Sequence, residues 1–520
     1  MRITADEEAE TTSMRREPAY TAGQSKQVPL SFAQPNAETK VPPLLPLKPV
    51  KELPLSFAQQ RLWFIDRIPS ARDAYHVARI MRLAGRFDVV SFRQAISEMV
   101  RRHESLRTTF PCVDGEPKQH IHPPKSVSFP VVDLEGLPLG EQGREIERLT
   151  RHEATSYFDL GRGPLFRVLV LRTAPEEHVL TIVFHHIIAD GWSLGVFYRE
   201  LSALYQTYAA GNDTCLPEPH VQYSDYTLWQ RECVNLGALQ AQLAYWRGRL
   251  RGSAAVLPGL GDRPRAEDPS FRGSLEFFEL PRDLADGLRK SARQSAATLY
   301  VVFVTAFGAL LYRQSGATDI CIGTPIANRN YPWSEGIIGF VANTLVLRIE
   351  LSGEMSLEQL LQRVRQEAIA AYDNQDAPFD LLVAELQLER NPAENAFFQV
   401  AFALQNAPAA DLVIPGVQVT SSLAETGTSR FDLTLSITEE DGDLNGLFEY
   451  STDLFEHTTI GRFVRQYEKI LRCLITSPRT RLRDIPLISD AERQELLARS
   501  RPGVARRFPS GALGHGATQL

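Results

Sequence analysis

Apolar residues recur at helical spacing in several segments of the chain. After Ser56, the apolar positions of FAQQRLWFI fall on one helical face, and Gln59 completes a capping-box pattern with Ser56. SFRQAISEMVRRHE (91–104) shows the same spacing, and we predict that Ser91 and Gln94 cap it. LYVVFVTAFGALLYRQ is apolar on nearly all sides, which predicts a buried helix. TTIGRFVRQYEKILRCLIT predicts an amphipathic helix near the end of the folded region.

β-branched and aromatic residues concentrate in short runs that predict strands. LFRVLVLRT (165–173) and HVLTIVFHH (178–186) flank the short turn APEE, which predicts an antiparallel hairpin. The second half contains the further strand-like runs SLEFFEL, DICIGTPIA, TLVLRIEL, AFFQVAFALQ, RFDLTLSI and GLFEYST. Strands and helices mix in a similar order in both halves. The pattern therefore predicts an α/β protein with two lobes of similar plan.

The polar ends of the chain mark the limits of the folded region. Residues 1–50 are polar and then proline-rich, and such a segment buries too little surface to offset its ordering entropy. We therefore expect a disordered N-terminal tail or linker at 1–50, an N-terminal lobe at 51–220, a C-terminal lobe at 221–486 and a largely unstructured C-terminal linker at 487–520.

Two segments within these limits have an uncertain role. VPLSFAQPN (28–36) nearly repeats LPLSFAQQR (53–61), but Pro35 interrupts the first copy. A chance match and a self-docking segment both stay open for it. The region near 210–265 is rich in proline, glycine and polar residues, so we predict that it connects the two lobes.

Composition and charge limit the cellular compartment and the classes of partner that we expect. The chain has 520 residues, of which 43% are hydrophobic, with a net charge of -7 and no basic stripe. Nucleic acid is therefore not an expected partner. The five cysteines form no CxxC pair, which favours a reducing, cytoplasmic compartment. The N-terminus lacks an apolar signal region, and no apolar run is long enough to span a bilayer, so we expect no membrane association.

The segment FHHIIADGWS (184–193) carries the most distinctive chemistry. It places two histidines, Asp190 and Gly191 directly after a predicted strand, with Ser193 as the predicted N-cap of the next helix. A histidine can manage the proton of an attacking amine, and glycine lets the backbone approach a substrate closely. No HExxH motif or cysteine and carboxylate set completes a metal shell, so we predict no metal site. No GxSxG elbow indicates a serine hydrolase. A structural role and a catalytic role both stay open at this point.

A series of motifs resembles the condensation domains of nonribosomal peptide synthetases. HHIIADG is similar to the HHxxxDG motif of this acyltransferase superfamily. The other similar stretches occur in the family's order over roughly residues 53–497, and they are LSFAQQRLWF, RHESLRTTF, YSDYTLWQ, IGTPIANRN, IGFVANTLVLR and NQDAPFD. DIPLISDAERQELL (484–497) resembles the linker that leads into an adenylation domain, which makes an adjacent adenylation domain an expected partner.

The resemblance implies a fold and a reaction. The fold is a pair of chloramphenicol-acetyltransferase-like lobes in a V-shaped pseudo-dimer, with an active-site tunnel at their interface. Two carrier proteins would insert phosphopantetheine arms that carry a donor acyl thioester and an acceptor aminoacyl thioester. The acceptor amine would attack the donor carbonyl and form an amide. The domain itself would bind no cofactor, and we expect it to be a monomer.

The same resemblance assigns roles to particular residues. The catalytic motif falls on His186, His185, Asp190 and Gly191, with His186 as the catalytic histidine and His185 as its support. Whether His186 is a general base or positions the amine stays open. Asp190 is expected to pair with Arg329 across the lobes. Further support of the site is expected from Arg61, Trp192 and Ser193, and contacts with the tunnel or substrate from Asn343 and Ser429.

Two alternative functions stay open, and the sequence differs from the family's usual residues at one place. The histidine loop favours an L-donor or a starter (fatty-acyl) condensation domain. An epimerisation domain of the same fold and a non-catalytic recruitment module are the alternatives. Val341 and Ala342 replace residues that are usually bulkier in the family, and we expect neither to touch the histidine loop.

Overall fold

The structure is a computed structural model that describes Leu44 and residues 53–487, except 214–215, 254–255, 267, 387–396, 406–410, 425 and 441. The predicted tail at 1–50, apart from Leu44, the repeat at 28–36 and the linker from 488 onward lie outside the described residues.

The described chain contains both helices and strands along its whole length. The helices, in chain order, are α1 (Phe57–Ile65), α2 (Val89–Arg102), α3 (Leu139–Thr155), α4 (Gly191–Ala209), α5 (Tyr223–Asn235), α6 (Gln240–Leu250), α7 (Arg282–Gln294), α8 (Leu299–Ser315), α9 (Leu357–Asp373), α10 (Phe379–Glu385) and α11 (His457–Thr476). The strands are β1 (Leu53–Pro54), β2 (His76–Gly85), β3 (Thr108–Thr109), β4 (Cys112–Val113), β5 (Glu116–Ile121), β6 (Val131–Asp133), β7 (Phe166–Ala174), β8 (Glu177–His185), β9 (Gly273–Leu280), β10 (Asp319–Ile326), β11 (Asn343–Glu350), β12 (Val400–Gln405), β13 (Val417–Leu423), β14 (Leu433–Glu440) and β15 (Asp443–Ser451).

The first lobe is built on a five-stranded sheet of order β13-β2-β8-β7-β6. The predicted hairpin is confirmed, because β7 and β8 pair antiparallel with a register irregularity near Arg172. Helix α3 packs against β2, β7 and β8, and α2 packs against α4. A smaller sheet joins β1, β3 and β4 to β5. Since β8 is a central strand that is buried beyond its first residue, it holds its last residue, His185, at a fixed position.

The second lobe is built on a six-stranded mixed sheet of order β11-β10-β12-β14-β15-β9. Strand β12 is parallel to both β10 and β14, and the other pairings are antiparallel. Helix α8 is buried along most of its length and packs against α9 and α11, so the prediction of a buried helix is confirmed. The connection near 210–265 contains two ordered helices, α5 and α6, rather than an irregular linker.

One strand crosses from the second half of the chain to the first sheet. Strand β13 pairs antiparallel with β2, from Val417 opposite Gly85 to Leu423 opposite Arg79. The sequence pattern did not predict this strand. It continues the first sheet with residues that the expected division at 221 assigns to the second lobe, so the lobes share backbone hydrogen bonds in addition to side-chain contacts.

Two predicted helix caps are wrong, and for the same reason. Ser91 and Ser193 do not cap α2 and α4; the N-caps are Asp88 and Asp190, each three residues earlier. Each aspartate accepts hydrogen bonds from the backbone N–H and the hydroxyl of its serine. The capping box of Ser56 and Gln59 is confirmed.

No helix in the described part of the chain is by itself long and apolar enough to cross a bilayer. Helices α7 and α8 meet such a test only as a pair, with a bend of 107° between them.

Candidate active site between the lobes

The histidine loop begins where β8 ends. His185 is buried, and its Nδ1 accepts a hydrogen bond of 3.1 Å from the backbone N–H of Ile187. This bond turns the chain into a short 3-10 helix, His186–Ile188. Burial lowers the pKa of His185 well below its usual value, and the neighbouring His76 adds to the effect. A neutral ring is the form that can accept this hydrogen bond, so His185 shapes the loop.

Asp190 is the polar centre of the loop. Its carboxylate accepts hydrogen bonds from the N–H and the hydroxyl of Ser193 and, across the lobe interface, from the backbone N–H groups of Val341 and Ala342, both at 3.0 Å. Val341 and Ala342 therefore do contact the histidine loop, through their backbone rather than their side chains. The expectation that they would not touch it is wrong.

Arg329 of the second lobe faces the same carboxylate. Its Nη2 lies 3.1 and 3.2 Å from the two oxygens of Asp190, and its Nη1 donates to the carbonyls of Ser334 and Ile337. Burial alone would raise the pKa of Asp190, but the Arg329 guanidinium and the bonds from Ser193 outweigh it and hold the pKa below its usual value. Asp190 is therefore an ionised structural anchor.

Gly339 and Tyr223 link other motifs of the sequence to the histidine loop around Asp190. The hydroxyl of Tyr223 donates to the carbonyl of Phe340 and shares a hydrogen bond of 2.8 Å with the hydroxyl of Ser56. A Cβ at Gly339 would lie 1.9 Å from the Tyr223 ring, so only glycine fits there. From α1, Gln59 also donates to the carbonyl of Ile187. Four of the motifs that the sequence shows in order thus converge around the histidine loop.

His186 differs from its neighbours in the loop. The residue is partly exposed, and its ring lies 4.8 Å, centroid to centroid, from the ring of Phe340 in the second lobe. Its Nδ1 is buried and makes no hydrogen bond to a described residue. Burial lowers the pKa of His186, the charge of Arg430 lowers it further, and Asp190 acts in the opposite direction. The ring is therefore neutral near pH 7 and can accept a proton or a hydrogen bond.

Arg430 is a residue of this site that the sequence reasoning missed. It lies just before β14 in the second lobe, and its Nε donates to the carbonyl of Ala74 in the first lobe at 2.9 Å. Its guanidinium also lies 5.4 Å from the centre of the Tyr75 ring. The sequence analysis predicts that Ser429 contacts the tunnel or substrate, and the arginine that follows this serine was the available signal.

Several predicted residues lie elsewhere or are already engaged. Arg61 does not reach the histidine loop; its Nε lies 2.8 Å from Oδ1 of Asp380. The amide of Asn343 bonds to the backbone of residues 375, 377 and 379, so it holds that segment rather than facing a tunnel. Ser429 is buried, and its hydroxyl donates to the carbonyl of Phe431.

Trp192 and Gly191 remain close to the histidine loop. The indole N–H of Trp192 donates to the carbonyl of Glu335, which adds another contact between the lobes. Gly191 is the first residue of α4, and a Cβ there would meet no atom within 4 Å. The space beside Gly191 is therefore open. Two cavities in the described part of the chain are lined by other residues and do not include His186, so the tunnel stays a prediction.

Comparison with known proteins identifies the family. A model of the condensation domain matches residues 50–497, and the chain belongs to this family. It is 39% identical over 492 residues to a component of the linear gramicidin synthase of Brevibacillus parabrevis, covering 94% of this chain and 6% of that protein. It is also 39% identical over 460 residues to the malpinin synthetase of Mortierella alpina, covering 88% of this chain and 6% of that protein. The chain thus spans less than a tenth of these curated relatives.

A solved structure agrees with the fold. The chain resembles the X-domain in its complex with OxyB from teicoplanin biosynthesis, with a TM-score of 0.78 and 26% identity, over 86% of this chain and 99% of that chain. The predicted α/β fold of the condensation family is confirmed.

Proposed function

We propose that the chain catalyses amide formation between a donor acyl thioester and the amine of an acceptor aminoacyl thioester, each carried on the phosphopantetheine arm of a carrier protein. The observation that carries this proposal is that the residues of the histidine loop differ in their hydrogen bonding. His185 and Asp190 hold the loop through hydrogen bonds, whereas His186 is neutral and partly exposed, and its Nδ1 makes no hydrogen bond to a described residue.

In this proposal the acceptor nitrogen attacks the donor carbonyl, a C–N bond forms and the C–S bond to the donor arm breaks. His186 accepts a hydrogen bond from the attacking amine and takes up its proton as the amide forms. The proton then passes to the departing thiolate, so the donor arm leaves as a thiol. The Asp190–Arg329 pair fixes the loop across the interface, so that the ring stays in position during the reaction.

We also propose that the donor is an L-peptidyl or a fatty-acyl group, on the basis of the histidine loop. The test uses the purified chain with chemically loaded donor and acceptor carriers, and amide formation is followed by intact mass. A series of donors that carry L-aminoacyl, D-aminoacyl and fatty-acyl groups reports the preference. The proposal expects the D-aminoacyl donor to be the slowest of the three.

The decisive variant is His186→Ala, for which we expect amide formation to fall by at least about a hundredfold, in line with the loss of a positioned acid–base group. His457→Ala is the matched control, because that histidine is exposed on α11 and far along the chain from the loop. An unchanged rate in the His186 variant would remove the catalytic assignment.

A non-catalytic recruitment module is the second candidate, and the likeness to an X-domain bound to OxyB favours it. The same assay separates the two, because a recruitment module would leave both loaded carriers unchanged in the unaltered protein.

An epimerisation domain would instead exchange the Cα hydrogen of a lone peptidyl donor for deuterium without making an amide.

A further inference from the structure

A cavity adjoins the segment that carries Arg329, because Asn328 and Ser334 belong to its wall. It is partly open to solvent and lies between α5, the loop before β11 and the start of the segment that leads into α10. The residues of its wall that matter here are Tyr226, Trp229, Cys233, Tyr331, Trp333 and Asp376. None of these residues has a part in the proposed amide formation.

Three aromatic rings form one side of the cavity. The ring centroids of Trp229 and Trp333 are 5.0 Å apart, and both lie 5.3 Å from that of Tyr331. Tyr331 stacks on Trp333, and Trp229 meets both rings by an edge. All three side chains are partly exposed. Because aromatic faces carry negative electrostatic potential, a cluster of this kind attracts cations.

Asp376 supplies a full negative charge at the same cavity. Its two oxygens accept hydrogen bonds of 3.1 Å from the side-chain amides of Asn330 and Gln242, which are neutral. A carboxylate offers about four acceptor positions, so it retains capacity for a further donor. No arginine, lysine or histidine is among the residues that line the cavity.

The charge of Asp376 acts on other groups in the wall. Burial raises the pKa of Cys233 to about 12, and the Asp376 carboxylate adds to this rise. Burial and the same carboxylate also raise the pKa of Tyr331. Both effects have the sign expected of a nearby negative charge.

We propose that this cavity binds the ammonium head group of a small organic cation, held against the three rings and paired with Asp376. The rings provide cation–π attraction, and the carboxylate provides the counter-charge. This site is separate from the amide-forming site. It adjoins that site's support, because the carbonyl of Ser334, in the cavity wall, accepts a hydrogen bond from Arg329.

The test compares choline with 3,3-dimethylbutan-1-ol, which has the same shape without the charge. Tryptophan fluorescence and calorimetry follow each titration at constant ionic strength. We expect choline to bind saturably and the alcohol to bind at least about tenfold more weakly, because only the cation gains the electrostatic attraction. Equal binding of the two compounds, or no saturable binding of choline, would overturn the proposal.

Two variants test whether choline binds at this cavity. Asp376→Asn keeps the shape of the side chain and removes its charge, and we expect choline affinity to fall about tenfold. Asp373→Asn is the matched control, because Asp373 is exposed at the end of α9 and does not line the cavity; its affinity should stay unchanged. An unchanged affinity in Asp376→Asn would place choline elsewhere and refute the site. If that variant does not fold, Trp333→Leu takes its place with the same expected loss, and the comparison of choline with the alcohol stands independently.

Discussion

Arg329 reaches from the second lobe to both carboxylate oxygens of Asp190, and the two side chains are only 1% and 2% exposed. Asp190 also caps α4 in the first lobe, while Arg329 ties down its own loop through Ser334 and Ile337. Two buried ions at this distance depend on each other, because neither has water to replace its partner. The pair therefore joins the two lobes at the base of the histidine loop.

Replacing Asp190 with alanine should lower the free energy of unfolding by about 3–5 kcal/mol, because Arg329 would stay buried without its counter-charge. Urea unfolding measures the change. Glu354→Ala is the control, since it breaks exposed ion pairs with Arg481 and Arg483 and should cost no more than about 1 kcal/mol. Similar losses in the two variants would contradict the proposed importance of the buried pair.

The sequence predicted the elements whose apolar periodicity is strong. The apolar residues of helix α8 and of the β7–β8 hairpin are buried in the structure. Their spacing within each segment therefore predicts the element without knowledge of distant contacts. The position of the histidine loop followed from that hairpin. The partnership of Asp190 with Arg329 came from the family resemblance, because 139 positions separate the two residues and no local pattern links them.

The predictions failed where the outcome depends on competition or on distant partners. Ser91 and Ser193 each have an aspartate three residues earlier, and a carboxylate that accepts both the N–H and the hydroxyl of the serine prevails as the cap. Strand β13 was missed because its run, VQVTSSL, is only weakly apolar. Its pairing with β2, more than 330 positions away, is decided by the tertiary fold.

Gly85 is required where β13 joins β2. Its φ is +135°, and a Cβ there would lie 2.3 Å from the carbonyl oxygen of Gly416. Gly211→Ala is a matched control, because Gly211 has a φ of +74° and no atom within 4 Å of the added Cβ. Each change strains the backbone by roughly 1–3 kcal/mol, but only Gly85→Ala must also displace the start of β13.

We therefore expect Gly85→Ala to lower the unfolding free energy more than Gly211→Ala and to speed hydrogen exchange in residues 417–423. Chemical denaturation and exchange followed by mass spectrometry measure the two effects. Equal stability losses with unchanged exchange in β13 would show that the strand does not depend on the close approach at Gly85.

Arg430 should control the protonation of His186. Its positive charge disfavours the imidazolium, so Arg430→Met should raise the pKa of His186. The pKa should stay below the usual value of about 6.5, because burial is the larger cause and remains. NMR titration with histidine labelled at Cε1 measures the shift directly.

The pH dependence of amide formation should follow the pKa of His186. Burial holds the pKa of His186 at about 3 in the unaltered protein, so protonation of the ring removes activity only as the pH falls toward that value. Because its pKa is higher, the Arg430 variant should lose its rate at a higher pH on the acid side than the unaltered protein. Arg363→Met is the control, because Arg363 lies on α9 and is not among the charges that act on His186. A His186 titration that is the same in both variants would exclude this role for Arg430.

His185 and His186 should show opposite effects on stability and rate. His185→Leu leaves the buried N–H of Ile187 without its acceptor, so the free energy of unfolding should fall by about 1–3 kcal/mol. His185→Asn supplies a carbonyl oxygen near the lost Nδ1 and should recover part of this loss. The Nδ1 of His186 makes no hydrogen bond to a described residue, so His186→Ala should affect stability less while it abolishes most amide formation. Denaturation and single-turnover transfer between loaded carriers are measured on the same preparations. If His185→Leu removed the rate in fully folded protein while His186→Ala kept it, the two roles would have to be exchanged.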